Sequence, residues 1–191
     1  KKDVAPLSKL TAPLGVFAVP GNHEYYFDAH RWIAEFQRLG MRVLVNEHAI
    51  LRKGADQLVV AGVTDEVAPA YGHEGPELVQ ALDGAPKGTA TILLKHRPAG
   101  ASASAAAGVG LQLSGHTHGG MISGLDLVAG YANQGFVSGS YDVGKMKLYV
   151  SNGTALWNGF PIRLGVPAEI TEFVLRASPT LNEHTARRTF L

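Results

Sequence analysis

The sequence predicts an α/β fold, a layered domain with one mixed sheet or two packed sheets. Short apolar runs bounded by turn residues recur along the 191 residues, and one amphipathic helix follows the first of them. The order is strand–helix–strand at the beginning and mostly strands afterwards, which disfavours an all-helical bundle. A chain of this length buries a real core as one ordinary domain. We assign residues 1–179 to that domain and residues 180–191 to a polar C-terminal tail.

The first strand and the first helix have the clearest signals. Residues 16–19 form an apolar run that ends at Pro20 and Gly21, as a buried strand does at a sharp turn. Residues 28–39 carry apolar side chains at helical spacing, so they predict a helix that Asp28 caps and Gly40 ends.

Later apolar runs predict most of the remaining sheet. Strands are expected at residues 41–45, 49–52, 58–63, 91–95, 111–114, 147–150 and 169–176. Residues 76–82 predict a short helix with proline in its first turn. Residues 99–107 are nearly all Ala and Ser, which favours a packed helix of small residues and leaves a flexible loop as the alternative.

The composition excludes several classes of protein. The absence of cysteine excludes a disulfide framework, a thiolate zinc site, an iron–sulfur cluster and a cysteine nucleophile. A net charge of +1 argues against a dedicated nucleic-acid-binding protein, which needs a basic surface. The longest uncharged run, residues 98–125, is too rich in Ala, Gly and Ser to be a membrane span. Because the chain begins with Lys rather than Met, we expect it to start partway into a longer protein.

Side chains that can bind a metal directly follow three of the predicted strands. These side chains are Asn22, His23, Glu24, His96, His116 and His118. Open α/β sheets place their sites at the carboxyl ends of strands, where this pattern puts an amide, a carboxylate and four imidazoles. Imidazole nitrogen suits Zn, Mn or Fe, and amide oxygen suits harder cations. A mixed nitrogen and oxygen set without thiolates indicates hydrolytic metal chemistry rather than a structural zinc site.

The spacing of the last two histidines has a structural meaning. In an extended segment residues i and i+2 point to the same side, so His116 and His118 are expected to direct their imidazoles at neighbouring points. The flanking Gly115, Gly119 and Gly120 allow a tight turn and the close approach of a ligand.

These motifs resemble those of a known family. GNHE at 21–24, the lone His96 and GHTHGG at 115–120 resemble the second half of the calcineurin-like metallophosphoesterase signature. The longer segments VFAVPGNHEYY, LLKHRP, LQLSGHTHGG and YVSNGTALWNGFPIRLGVPAEIT resemble the bacterial branch typified by the YkuE and YaeI phosphodiesterases. The resemblance extends from about Leu10 to Arg176.

The resemblance implies two packed mixed sheets flanked by helices, a four-layer sandwich, around a dinuclear metal centre. Carried over residue by residue, it makes Asn22, His96 and His116 ligands of the second metal and His118 a ligand of the first. It makes His23 the catalytic residue that contacts the phosphate and stabilises the transition state or protonates the leaving oxygen. The implied cofactors are two divalent ions such as Mn, Fe or Zn, which clamp the phosphate and generate the attacking hydroxide. The implied substrate is a phosphomonoester or a phosphodiester.

The chain departs from the family pattern upstream of Gly21. The family carries Asp-x-His and then Gly-Asp-x-x-Asp before GNHE, and the residues that precede Gly21 contain neither motif. Met121 stands where relatives usually have Gln. We therefore expect this chain to be the C-terminal two-thirds of the domain and to be weakly active or inactive alone. The N-terminal portion is expected in a longer or a separate chain. A membrane tether, as in relatives, would lie outside this chain, and family analogy gives a cytoplasmic or membrane-associated location.

Two other functions are compatible with the same residues. The first is a non-catalytic binding or scaffold module that keeps the fold with a degraded metal site. The second is a mononuclear zinc hydrolase built on His96, His116 and one more ligand. Metal content distinguishes them, because a scaffold binds no stoichiometric metal.

Other residues near the motifs have more ordinary interpretations. We expect Glu24 to orient a metal ligand or His23 rather than to bind metal. Asp65 follows a predicted strand, so it orients a metal ligand, faces the substrate or caps a turn. Arg163 is expected to form a surface ion pair rather than to bind phosphate. Three aromatic residues are expected in the core or, alternatively, along a substrate cleft: Tyr25, Tyr26 and Trp157.

Overall fold

A six-stranded mixed sheet forms the centre of the protein. The computed structural model describes residues 2–156 and 161–176. In chain order its elements are β1 (Phe17–Ala18), α1 (Asn22–Tyr26), α2 (Ala29–Arg38), β2 (Arg42–Val43), β3 (Glu47–Lys53), β4 (Asp56–Gly62), α3 (Leu78–Leu82), β5 (Thr91–Leu94), α4 (Ala101–Ala106), β6 (Leu111–Ser114), α5 (Asp126–Ala132), β7 (Gly139–Val143) and β8 (Met146–Val150). Short 3-10 helices lie at Ala5–Lys9, Ala68–Tyr71 and His118–Gly120. The predictions for Trp157 and for the tail at 180–191 lie outside the described residues.

Parallel pairing in the middle of the sheet brings several strand ends to one edge. The strand order is β3-β4-β5-β6-β8-β7, with β4, β5, β6 and β8 parallel and with β3 and β7 antiparallel at the two edges. Parallel neighbours need a crossover connection, and α3 and α4 lie in the crossovers into β5 and β6. A second sheet consists of β1 and β2, which pair in parallel with Phe17 opposite Arg42. The predicted α/β class, two sheets flanked by helices, is confirmed.

Aliphatic side chains of the central strands form the core. Val59 of β4, Leu93 of β5 and Leu148 of β8 are fully buried in one cluster. Ala101 of α4 is fully buried against the same cluster, because small side chains let a helix approach a sheet closely. The prediction of a packed helix within 99–107 is therefore confirmed over Ala101–Ala106.

The amphipathic helix has the boundaries that its sequence predicts. The side chain of Asp28 accepts a hydrogen bond from the backbone N–H of Arg31 at 3.2 Å, which caps α2. At the other end Leu39 is buried, and Gly40 leaves the helix with a φ of 93°.

The predicted last strand is wrong. Residues 169–176 contain no strand, although their apolar side chains alternate. The nearby β8 is already paired on both sides, by β6 and β7, so it offers no free edge. One backbone bond, from the Glu169 N–H to Gly153 O at 3.0 Å, and side-chain contacts hold the segment instead. The Glu169 carboxylate accepts a hydrogen bond from Tyr149 of β8, and Phe173 packs edge-on against the same ring.

Three further elements lack a signal in the sequence. The helices α1 and α5 have five and seven residues, too few for a helical repeat to stand out. The sequence of β7, Gly-Ser-Tyr-Asp-Val, has only two apolar side chains, and its pairing with β8 decides its structure.

Candidate metal centre

Three loops, which follow β1, β5 and β6, meet at one point. The first carries Asn22 at the start of α1, where the carboxylate of Glu24 accepts a hydrogen bond from the Gly21 N–H at 2.7 Å. This bond closes the first turn of the helix and so fixes the backbone that carries Asn22. The other two loops carry His96 and His116, each two residues after the last residue of its parallel strand.

Asn22, His96 and His116 present polar atoms to one another. The Oδ1 atom of Asn22 lies 2.9 Å from His96 Nε2 and 3.2 Å from His116 Nδ1, and the two ring nitrogens are 3.2 Å apart. Nitrogen and oxygen ligands lie about 2.0–2.2 Å from a divalent transition metal, which puts neighbouring ligands of one ion about 3 Å apart. The three atoms, called the Asn–His–His cluster below, therefore have the donor types and spacing of ligands that share one cation.

Gly21 is required by the packing of this cluster. A Cβ atom at Gly21 would lie 2.9 Å from three atoms of the His96 ring, closer than carbon atoms that are not bonded approach each other. The φ of Gly21 is −103°, a value that any residue adopts. The contact with His96, rather than backbone freedom, therefore requires glycine at this position.

The GHTHGG segment at 115–120 is a turn, so the prediction of an extended segment is wrong. His116 and His118 have φ values of 71° and 51°, and His118–Gly120 form a 3-10 helix. His116 reaches Asn22 and His96, whereas His118 contacts Arg163. The Arg163 guanidinium donates to the His118 carbonyl oxygen at 3.2 Å and lies 3.5 Å from His118 Nδ1.

Burial keeps the clustered imidazoles neutral. Desolvation and, to a smaller extent, the neighbouring His116 together lower the pKa of His96 to about 4. Desolvation and the charge of Arg97 lower the pKa of His116 to about 4 as well. The pKa of His118 is lowered by desolvation and by Arg163. At neutral pH these rings therefore keep the lone pairs that a metal ligand needs.

A cavity of about 820 Å³ opens beside the Asn–His–His cluster. Its polar end is lined by Asn22, His116, His118 and His23, so it collects the predicted catalytic residue and three of the predicted ligands. Its lining also includes apolar side chains, among them Val128 of α5. Tyr26 also lines the cavity, with its ring 5.4 Å from that of His23, whereas Tyr25 is buried in a small core cluster with Ala29 and Ala68.

The site includes a buried ion pair between Asp65, which the sequence analysis names, and Arg97, which it does not. Asp65 is fully buried, and both of its carboxylate oxygens accept from Arg97 Nε at 3.1 Å. The Oδ1 atom also accepts from the Val67 N–H at 3.0 Å, so the predicted turn-capping contact is present. Arg97 lines the cavity beside His116. Its position directly after His96 is the signal in the sequence that would have found it.

Arg163 forms no ion pair with the described residues, where a surface ion pair was expected. Its guanidinium donates to the backbone carbonyl oxygens of Ala155, Asn152 and His118. These bonds connect the loop after β8 to the GHTHGG segment at 115–120.

The cluster fits one divalent cation. Two neutral imidazole nitrogens and one amide oxygen form a mixed donor set without thiolate, which suits Mn, Fe or Zn. Across residues 2–156 and 161–176, no group of three or more His, Asp or Glu side chains is arranged to hold a metal ion. The described residues thus bring together three of the four predicted ligands, and His118 lies on the same cavity outside the cluster.

Comparison with known proteins identifies the family of this chain. The family model described as Calcineurin-like phosphoesterase matches residues 2–120 of this chain. The chain belongs to the calcineurin-like phosphoesterase family. The family resemblance of its motifs is therefore confirmed.

Several relatives of this calcineurin-like phosphoesterase chain are known. A bovine (Bos taurus) protein named "Transmembrane protein with metallophosphoesterase domain" is 41% identical over 92% of this chain and 42% of its own length. A metallophosphoesterase of Helicobacter pylori is 35% identical over 89% and 45%, and YkuE of Bacillus subtilis is 29% identical over 90% and 60%. The chain thus spans between 42% and 60% of the length of these curated relatives.

A solved structure of a Staphylococcus aureus protein aligns with 83% of this chain and 39% of its own, with a TM-score of 0.48 and 12% identity. Within the described ranges, no helix combines the length and the apolar character needed to cross a membrane.

Proposed function

We propose that this chain is the metal-binding part of a phosphoesterase that hydrolyses a phosphomonoester or a phosphodiester. The observation that carries the proposal is the mutual contact of Asn22 Oδ1, His96 Nε2 and His116 Nδ1 within 3.2 Å. Family membership adds the reaction class, since calcineurin-like phosphoesterases are the proteins that share these motifs.

Different residues of the chain have different roles in the proposed reaction. Asn22, His96 and His116 hold a divalent cation, and His118 provides an imidazole on the same cavity for the second ion of a dinuclear centre. When bound, the ions supply Lewis-acid activation of water and of the phosphoryl group. His23 lines the same cavity, where it donates a proton to the leaving oxygen of the ester.

We further propose that the 191-residue chain alone binds one divalent ion tightly and turns over substrate slowly. The described residues offer one cluster with three donors, and two dications held close together need a carboxylate between them to reduce their repulsion. We also propose a membrane tether for the whole protein, because the bovine relative is named a transmembrane protein.

Metal titration tests the proposal. Calorimetric titration of Mn²⁺ into the chain is expected to give about one ion per molecule, because the clustered neutral nitrogen and oxygen donors bind one transition-metal ion. His116→Ala is expected to lower the affinity at least about tenfold, since it removes one of three donors. His30→Ala is the matched control, because His30 is exposed on α2 and contacts the ring of His73.

Hydrolysis of bis(p-nitrophenyl) phosphate and of p-nitrophenyl phosphate with Mn²⁺ then separates the two substrate classes. Slow turnover that His116→Ala and His23→Ala abolish supports the phosphoesterase. A chain that binds no stoichiometric metal would contradict it and would favour a binding or scaffold module on the same fold.

A further inference from the structure

Arg97 lies at the cavity wall without a part in the proposed chemistry. It follows His96 directly and lines the same cavity as Asn22, His23 and His116. About a quarter of its side chain is exposed, so Arg97 lines the cavity while most of its side chain is buried. A positively charged side chain in this position requires a functional explanation.

Asp65 holds the guanidinium in one orientation. The side chain of Asp65 has no exposed surface, and its two oxygens share the Nε–H of Arg97 at 3.1 Å each. The carboxylate is itself held by the Val67 N–H at 3.0 Å. A buried carboxylate with these two partners has little freedom to move, so the arginine that it binds is preorganised.

The contact with Asp65 uses only one edge of the arginine. Among the described residues, Arg97 donates to protein acceptors through Nε, and its two Nη atoms have no hydrogen-bond partner. An arginine edge of this kind binds the oxygens of a phosphate in pairs. Arg163 is the contrasting case, because backbone carbonyl oxygens accept hydrogen bonds from its Nε and from both of its Nη atoms.

We propose that Arg97 is a phosphate-binding residue, whose two Nη atoms donate to the non-bridging oxygens of the phosphoryl group beside the Asn–His–His cluster. Asp65 acts as its positioning residue. This inference rests on the proposed phosphoesterase function, and it names the group of this chain that recognises the anionic part of the substrate. It also explains a buried carboxylate and arginine in a cavity that is otherwise built to hold cations.

Inorganic phosphate is the probe for this proposal. Calorimetric titration of phosphate into the Mn²⁺-loaded chain compares the unmodified chain with Arg97→Met, Arg97→Lys and Asp65→Asn. We expect Arg97→Met to weaken phosphate binding about tenfold or more, while the chain still binds Mn²⁺ with the same stoichiometry. Arg97→Lys keeps the charge without the paired donors and should recover only part of the loss.

Two further variants separate orientation and charge. Asp65→Asn leaves the charge of Arg97 intact but weakens its anchor, so phosphate affinity should fall as well. If Asp65→Asn does not fold, as its thermal melt will reveal, the comparison of Arg97→Met with Arg97→Lys carries the test. Arg31→Met is the control for net charge, since Arg31 is exposed on α2 and pairs with Asp28.

The outcomes distinguish this inference from the proposed function. If Mn²⁺ binds and Arg97→Met binds phosphate as tightly as the unmodified chain, the role of Arg97 is wrong and the metal site stands. If Mn²⁺ does not bind, the proposed function fails, and the same titrations on the metal-free chain decide the inference. Phosphate binding that depends on Arg97 then supports it, and binding that ignores Arg97, or no binding, overturns it.

Discussion

At the scale of single residues, the site depends on close contacts that leave no room for larger side chains. Gly21 is the clearest example, because its Cα faces the ring of His96. Asn22 and His96 are separated by 74 positions in the chain, and their contact at 2.9 Å depends on how closely the two loops approach at this glycine. The approach of the loops, and not only the identity of the ligands, therefore sets the geometry of the cluster.

Gly21→Ala is predicted to disturb the metal site without a large loss of stability. The new Cβ atom must displace the His96 ring, while the extended φ of −103° accepts alanine. Displacing a ligand in this way lowers metal affinity by about 10- to 100-fold, which Mn²⁺ titration will measure. Gly110→Ala is the control, because its Cβ atom would meet Thr91 O at an ordinary 3.5 Å. Equal Mn²⁺ affinity in both variants would disprove the packing argument.

The identity of the candidate ligands was readable from the sequence, but their arrangement was not. Motifs name Asn22, His96, His116 and His118 because few other patterns put these side chains after strands. The turn at His116 and His118 depends on positive φ values that the glycine-rich sequence permits without specifying. The position of Arg97 directly after His96 is visible in the sequence, but its ion pair with the buried Asp65, which lies 32 positions away, is not.

At the scale of elements, one buried amide holds the loops behind the site together. Asn46 precedes β3, and its Oδ1 atom accepts from the backbone N–H groups of Thr64 and Glu77 at 3.2 and 3.0 Å. Its Nδ2 atom donates to Gly75 O at 2.8 Å. Thr64 comes directly before Asp65, so Asn46 also supports the carboxylate that holds Arg97.

Asn46→Ala is therefore predicted to destabilise the fold by about 2–4 kcal/mol, because it leaves buried backbone groups without partners. Denaturant unfolding will measure this loss. Asn46 has a φ of 52°, so alanine also adds backbone strain, which Asn46→Gly avoids. A similar loss in both variants is expected if the hydrogen bonds dominate, and a normal stability of Asn46→Gly would contradict that cause.

The attachment of residues 161–176 is predicted to depend on pH. Partial burial pushes the pKa of Glu169 upward, but hydrogen bonds from Tyr149, Asn152 and neighbouring groups outweigh it and hold the pKa below its ordinary 4.5. A lowered pKa stabilises the folded state above about pH 4.5, and the contribution is lost as the pH falls through the folded-state pKa. NMR of the Asn152 amide, which donates to Glu169 at 3.1 Å, should report this loss on acidification. Glu169→Gln should remove the pH dependence, and an unchanged acid transition in that variant would assign it to another group.

Helices and strands were predictable where a helical repeat was long or where a run of apolar residues had to be buried in the core. The helix α2 has ten residues with a cap at its start, and the central strands are short apolar runs. The segment at 169–176 has an equally good alternating pattern and is not a strand, because strand formation also needs a free partner edge. That requirement is non-local, so a local pattern does not reveal it.

At the scale of the whole molecule, the candidate site lies where two unequal sheets meet. The sheet of β1 and β2 has two residues in each strand, too few to be stable alone. It packs on the large sheet at Gly62, where a Cβ atom would lie 2.5 and 2.6 Å from Leu44 and Val19. Asn22 belongs to the loop after β1, whereas His96 and His116 follow strands of the large sheet. A cation in the Asn–His–His cluster would therefore connect the two sheets.

This arrangement predicts that Mn²⁺ stabilises the small sheet and α1 more than the edge strands β3 and β7. A ligand at 100 times its Kd adds about 2.7 kcal/mol to the free energy of unfolding. Because that energy acts between the two sheets, hydrogen exchange of amides at residues 17–26 should slow strongly on addition of Mn²⁺, and exchange at 139–143 should change little. His116→Ala should remove the effect and His30→Ala should retain it. Uniform slowing across the chain, or slowing that persists in His116→Ala, would mean that the ion binds elsewhere and that the cluster does not join the sheets.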